Sequence, residues 1–390
     1  MKVYQILISS PADLAPERKV AIETINTLTH FAQISYGIEL KPVTWEENSY
    51  PAFGKDPQDV LNTQLSNKQD IYLGMLWKRL GTPTARHLSG TVEEFEQAYQ
   101  RFSDDPLSTR ILIYFKRIPE EIIDDEEPRK VVFFKENLQA RGYYTWQDFL
   151  DTNEFRSYIP IHLYQAIHDL NAERKAKGWV EEDDGRRLLM KANVNVIHSA
   201  YNRIFETLKV GLEKGNDFLA DYTRYNDVLS SATGREFTDA HEMNAMIENV
   251  NSELATIDIS LQEKLLAITD GYLDFILSWV KFLILIDDED VMLDKQAKED
   301  AIAEIDSALS YIRRFVQRFT ENIHTVDQLS ITFDVFSKNP LFGSLGFNYD
   351  MMEAIMESER MLAKKLIAHF TAWEGATTTI RELFDAIPSE

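Results

Sequence analysis

Four short apolar runs, Val3–Ser9, Ile38–Trp45, Asp70–Trp77 and Ile111–Phe115, alternate with segments of helical period within the first 172 residues, and no other feature restricts the fold as much. Successive strands separated by helices have to be joined by crossovers, so the pattern predicts an α/β domain with a doubly wound parallel sheet over 1–172. The helices are read from Ser10-Pro11-Ala12-Asp13 to about Phe31, then over Pro57–Ser66 and Val92–Arg101. At the first of these, Ser10 is placed as the cap, Pro11 at the first helical position and Asp13 as the partner in a variant capping box. Beyond Phe115 an acidic stretch, Glu120–Glu127, reads as a solvated loop, followed by a helix over Lys130–Arg141. A closing helix over Pro160–Leu170 has its proline at or near the first position.

Two charged stretches nearly free of apolar residues, Ala172–Gly178 and Glu181–Gly185, place a linker over 173–187. From Leu188 onward the period is helical, with helices expected over 188–230, 238–256, 259–286, 293–323 and 350–386 and an irregular piece over 337–349. Long helices with short connections predict an all-α helical bundle over 188–390, and no repeat of fixed period argues for a solenoid. The net charge of -23 disfavours a surface that tracks nucleic acid. With no cysteine, disulfides and thiolate sites are excluded, which fits a cytoplasmic protein. No signal peptide is read at the start. The most apolar run, Tyr272–Ile286, carries Asp274 and Lys281 and is too short to span a bilayer, so it is read as a buried core helix and no membrane association is expected.

The chemistry concentrates at Ser89-Gly90-Thr91-Val92-Glu93-Glu94, which follows the strand Asp70–Trp77 and the Gly/Pro-punctuated loop Lys78–His87. If the strand order is flavodoxin-like, the turns after strands one and three border one crevice outside the carboxyl ends of the strands. Ser9-Ser10 and Gly90-Thr91 would then offer helix N-termini to an anion such as a diphosphate. Glu94 would lie beside a sugar, where a carboxylate stabilises or traps an oxocarbenium-like state during N-glycosidic cleavage. A second role is open to it: Thr91-x-x-Glu94 has capping-box spacing, so Glu94 can instead satisfy the backbone N–H of Thr91. Arg18 and Arg79 are candidate phosphate contacts, each equally suited to a surface ion pair, with Glu17 a ready partner for Arg18. Trp45 and Trp77 can stack on a ring or pack at a strand end. The histidines show no metal spacing, so no metal is expected. In the second half, Arg313, Arg314 and Arg318 form the densest basic cluster, read as a solvated face or the receiver of an acidic partner or nucleotide. The apolar stretch Leu341–Phe347 is expected to pack under the bundle or into another subunit.

The run Ser89-Gly90-Thr91-x-x-Glu94 after a strand beginning at Asp70 resembles the nucleoside 2-deoxyribosyltransferases, although Leu88 stands where that pattern has an aspartate. Glu94 with Ala98 also resembles the catalytic-glutamate helix of TIR domains. More broadly, Ile8-Ser9-Ser10-Pro11-x-Asp13-Leu14-x-x-Glu17-Arg18, Trp45, Asp70-Ile71, Trp77-Lys78-Arg79-Leu80-Gly81-Thr82 and the Glu94 motif are similar to the TIR-like domains at the front of bacterial STAND-type NTPases and defence proteins. The resemblance spans roughly 3–170, and the P-loop of the NTPase module is lacking. It implies a flavodoxin-like, TIR-like domain with Glu94 catalytic and Ser9, Ser10, Asp13, Arg18, Trp45, Asp70, Trp77, Arg79, Gly90 and Thr91 as ligand contacts. The implied activity is NAD(P) glycohydrolysis, with NAD or NADP as substrate and no separate cofactor, in antiphage defence and under control of homo-oligomerisation or another defence protein. Alternatives it leaves open are a non-catalytic association module, an ADP-ribose-cyclising enzyme and a deoxyribosyltransferase-like enzyme.

Overall fold

The computed structural model describes residues 2–44, 69–82, 89–142, 145–179, 194–231, 240–286, 295–337 and 349–388. Trp45, His87, the helix expected over 57–66 and the apolar stretch 341–347 therefore lie outside the described residues.

The first half is the expected parallel α/β fold. Its strands are β1 (Lys2–Ser9), β2 (Ile38–Val43), β3 (Ile71–Leu76), β4 (Arg110–Lys116) and β5 (Gln147–Phe149). They form one parallel sheet in the order β2-β1-β3-β4-β5, the flavodoxin-like order. β3 is buried at every position, as a central strand covered on both faces must be. The helices of this half are α1 (Ala15–Tyr36), α2 (Gly90–Asp104), α3 (Glu126–Ala140) and α4 (Thr152–Ala176). Tyr72, Leu76, Val92, Phe95, Ile113, Phe115, Val131 and Phe134 pack into one cluster that clamps α2 and α3 onto the sheet. Because β1 continues to β2 on one side while β3 adds on the other, the crevice of this sheet opens at the carboxyl ends of β1 and β3.

Several local expectations change. Ser10 caps nothing: a 3-10 turn over Ala12–Leu14 comes first, and α1 starts at Ala15 with Pro16, not Pro11, in its first turn. Pro160 sits inside α4, whose true cap is Asp151, its carboxylate accepting the N–H groups of Asn153 and Glu154. Burial of Phe155, Ile159, Leu163, Ile167 and Leu170 along one stripe outweighs the lost proline hydrogen bond of about 3 kcal/mol. The charged segment placed in the linker begins as the last turn of α4, where Arg174 is only 3% exposed. The three-residue β5 went unrecognised because it is too short to display a period.

The second half contains α5 (Val194–Ser231), α6 (Ala240–Ile286), α7 (Lys295–Ser337) and α8 (Tyr349–Asp385). The two helices expected over 238–256 and 259–286 are one, since no glycine or proline interrupts Ser252–Ser260 and Ile257 and Leu261 continue the buried stripe. α7 likewise runs on past residue 323 to Ser337. Two compact units result: Met1–Tyr201 with Trp279–Leu293 and Ile387–Glu390, and Asn202–Ser278 with Asp294–Ala386. Trp279–Ile286 groups with the α/β unit, where Lys281 Nζ lies 5.6 Å from the Phe31 ring. Within the helical unit, Tyr272 stacks on Trp373 at 4.4 Å and hydrogen-bonds its carbonyl and the Thr377 hydroxyl. No helix among the described residues is long and apolar enough to cross a membrane.

Candidate functional site

Glu94 comes to the carboxyl end of β1 because of what fixes the start of α2. Ser89 is the N-cap, extended and fully buried, and its hydroxyl accepts the Val92 N–H at 3.1 Å. Gly81, at φ 110°, takes a conformation that favours glycine and brings the loop after β3 against Ser89 and Thr91; the Gly90 N–H then donates to the Thr82 carbonyl. Below this turn, the Tyr72 hydroxyl donates to the Thr91 carbonyl at 3.3 Å. Gly74 makes room for that ring, since a Cβ there would stand 2.7 Å from Tyr72 Cε1.

With α2 held in this way, one turn of helix carries Glu94 across to β1. The Ser9 hydroxyl donates to Glu94 Oε2 at 2.5 Å. The N-cap of α2 is Ser89, so Thr91 lies inside the helix and is not the cap of a Thr91-x-x-Glu94 box; the Glu94 side chain bonds Ser9. Burial pushes the Glu94 carboxyl up to about 7, with the Ser9 hydrogen bond opposing that shift and the Glu93 charge adding to it. A carboxyl that titrates near neutrality, in the crevice of a parallel sheet, has the properties of a reactive group.

The other sequence candidates divide between this edge and elsewhere. Ser10 is buried, and both its hydroxyl and its carbonyl accept from the Arg18 guanidinium, which also donates to the Pro11 carbonyl. Arg18 therefore locks the β1–α1 turn. Asp13 and Arg79 hold one another, with Arg79 Nε 3.4 Å from Asp13 Oδ1, and Asp13 Oδ2 also accepts the Lys78 N–H. Trp77 is a rim residue: its indole N–H donates to the Arg117 carbonyl at 3.0 Å, and the Lys78 and Lys116 ammonium groups lie over its ring. Gly90 and Thr91 form the first turn of α2 beside the same edge.

Asp70 is at the opposite end of the sheet. It precedes the first residue of β3, accepts the Gln5 N–H, and pairs with the buried Arg174 at 2.6 Å. Six strand residues at ~3.3 Å each separate it from the carboxyl edge, so the fold does not bring it to Glu94.

Sequence reasoning gave Glu17 only as a partner for Arg18, yet it is a buried carboxylate at the carboxyl edge of the sheet. Glu17 is 0% exposed and accepts from Lys116 Nζ at 2.8 Å and from the Thr152 hydroxyl at 2.7 Å, joining α1, the end of β4 and the start of α4. The partners are 99 and 135 positions away, so no local spacing could reveal them. Lys78, Arg79, Lys116 and Arg117 together give this edge a basic rim in a chain of net charge -23.

Residues 5–163 match the family model described as Domain of unknown function (DUF4062). The match runs from within β1 to the middle of α4, and includes Ser9, Glu17, Glu94 and Lys116. No curated protein and no solved structure matches the chain.

Proposed function

We propose that the α/β domain is a TIR-like NAD(P) glycohydrolase, cleaving the N-glycosidic bond between nicotinamide and ribose. The observation that carries the proposal is Glu94 at the β1–β3 switch point, hydrogen-bonded to Ser9 and with its carboxyl raised to about 7. The nicotinamide ring of the substrate is cationic, so its arrival favours the ionised carboxylate. As the C1′–N bond breaks, its electron pair goes to the ring, and neutral nicotinamide leaves without needing an acid. The ionised Glu94 stabilises the oxocarbenium-like ribose, and water adds at C1′ to give ADP-ribose and a proton. The basic rim of Lys78, Arg79, Lys116 and Arg117 is suited to the diphosphate, and Trp77 to the edge of a ring.

A constitutive hydrolase of this kind would exhaust its own cell, so the helical half is assigned to control: homo-oligomerisation, or contact with a partner in antiphage defence. The test is chromatography of NAD products on purified full-length protein over a range of concentrations, with light scattering on the same samples. Glu94→Gln is expected to abolish nicotinamide release with an unchanged circular dichroism spectrum, and wild-type activity is expected to rise steeply with oligomer size. Equal turnover by the mutant would remove Glu94 from the mechanism. If the wild type shows no turnover in any assembly state, the domain is a non-catalytic association module.

A further inference from the structure

The helical unit carries a concavity of about 220 Å³ lined by Asn216 of α5 and by Tyr311, Arg314, Phe315 and Arg318 of α7. We propose that it binds a small phosphate ester bearing a flat ring, of the size of a nucleoside monophosphate. This goes beyond the glycohydrolase reading and does not depend on it.

Two observations point to an anion. Arg314 and Arg318 stand one helical turn apart, and among the described residues neither has a carboxylate partner. The neighbouring Arg313 pairs with Glu374 at 2.6 Å, and Glu321, one turn beyond Arg318, accepts from Gln317. Like charges at i and i+4 repel, and an anion between the two guanidinium groups removes that repulsion. Finally, the described lining residues include no carboxylate. Tyr311 donates its hydroxyl to Asn216 Oδ1 at 3.1 Å, which occupies the amide oxygen and leaves the amide N–H groups as donors.

The ring component follows from the aromatic lining. Phe315 is buried and packs against Tyr311 at 4.9 Å between ring centres, and the Arg314 guanidinium lies 5.6 Å from the Tyr311 ring. Gly215 permits the arrangement, because a Cβ there would meet the Tyr311 hydroxyl at 2.5 Å. At a liquid share of ~30 Å³ per water, the volume takes a phosphoryl group and a ring; it is too small for a polyanion, which the net charge also repels.

Calorimetry on the full chain with each of the four ribonucleoside 5′-monophosphates, and with inorganic phosphate as reference, tests the proposal. At least one nucleotide is expected to bind ~10-fold or more tightly than phosphate, and Arg314→Gln with Arg318→Gln to weaken it by at least ~10-fold. Arg313→Gln, which removes a paired cation outside the lining, is expected to leave affinity unchanged. All three positions are exposed, so loss of binding in the double variant is not loss of fold. The proposal is overturned if no nucleotide binds, if phosphate binds as tightly as the nucleotides, or if the double variant retains full affinity. Saturation by an acidic peptide with no nucleotide binding would also overturn it, making the concavity a protein contact.

Discussion

Ser9 and Glu94 are 85 positions apart in the chain and 2.5 Å apart in the fold, with the serine hydroxyl donating to the carboxylate. The bond stabilises the ionised form of Glu94 against burial, which otherwise favours the protonated form. Ser9→Ala should therefore raise the carboxyl further and move the acid limb of the pH–rate profile to higher pH. At pH 7 the rate of NAD cleavage is expected to fall several-fold and to recover at pH 8.5 or above. A uniform loss at every pH would show that Ser9 acts on the substrate and not through Glu94.

The same burial makes Glu94 a liability to the fold. Its folded value, about 7, lies above the unfolded value of 4.5, so the folded state holds the proton more tightly and stability falls as pH rises from 4.5 to 7. Glu94→Gln removes the charge. It should stabilise the protein by about 1–2 kcal/mol at pH 8 and by almost nothing at pH 4.5. Thermal melts of both proteins at the two pH values check this, and an equal difference at both would exclude Glu94 ionisation as its cause.

Gly74 is expected to be intolerant of a side chain. Alanine there would press on the Tyr72 ring, which is 1% exposed and cannot swing away, and would strain the bond from Tyr72 to the Thr91 carbonyl. Gly74→Ala should cost about 1–3 kcal/mol by denaturant unfolding and lower kcat more than it raises KM, because the start of α2 carries Glu94. Unchanged stability would mean that the ring relocates freely.

Arg174 and Asp70 test the assignment of the amino edge to structure. Arg174 donates to the Leu107 and Ser108 carbonyls as well as to Asp70, so Arg174→Met orphans several buried acceptors at once. A loss of about 3–5 kcal/mol is expected. Asp70→Asn should destabilise less while leaving KM for NAD unaltered; a KM effect without a stability effect would return Asp70 to the ligand site.

His162 governs acid stability. Its Nδ1 lies 2.9 Å from the Tyr114 hydroxyl, and burial lowers the imidazole from 6.5 to about 4. The unfolded chain takes up this proton at higher pH than the folded one, so stability is lost as pH falls from 6.5 toward 4. The loss is about 1–3 kcal/mol. Replacing His162 with glutamine should flatten that part of the stability curve, as followed by urea midpoints at pH 7 and pH 4.5.

The sequence by itself determined the layers of this protein. Apolar runs such as Ile71–Leu76 can be satisfied only when covered on both faces, and the alternation with helices then leaves a parallel sheet as the solution. It also marked Glu94, since a carboxylate one turn after a strand–loop–Ser-Gly-Thr junction is a local pattern, and it marked the helical second half through a period that needs no distant partner. Local pattern could not show which residue caps α2 or what Glu94 bonds. Those depended on Ser89 standing at the N-cap and on β1 lying beside β3, which brings Ser9 to Glu94. Nor could it separate Arg18, which closes a turn, from Arg79, which stands at the rim. Glu17 and Lys116 acquire their meaning only from neighbours that are distant in sequence. Hydrophobic period is a property of adjacent residues, whereas burial, pairing and the position of a charge belong to the packed chain, and those were decided by the tertiary structure alone.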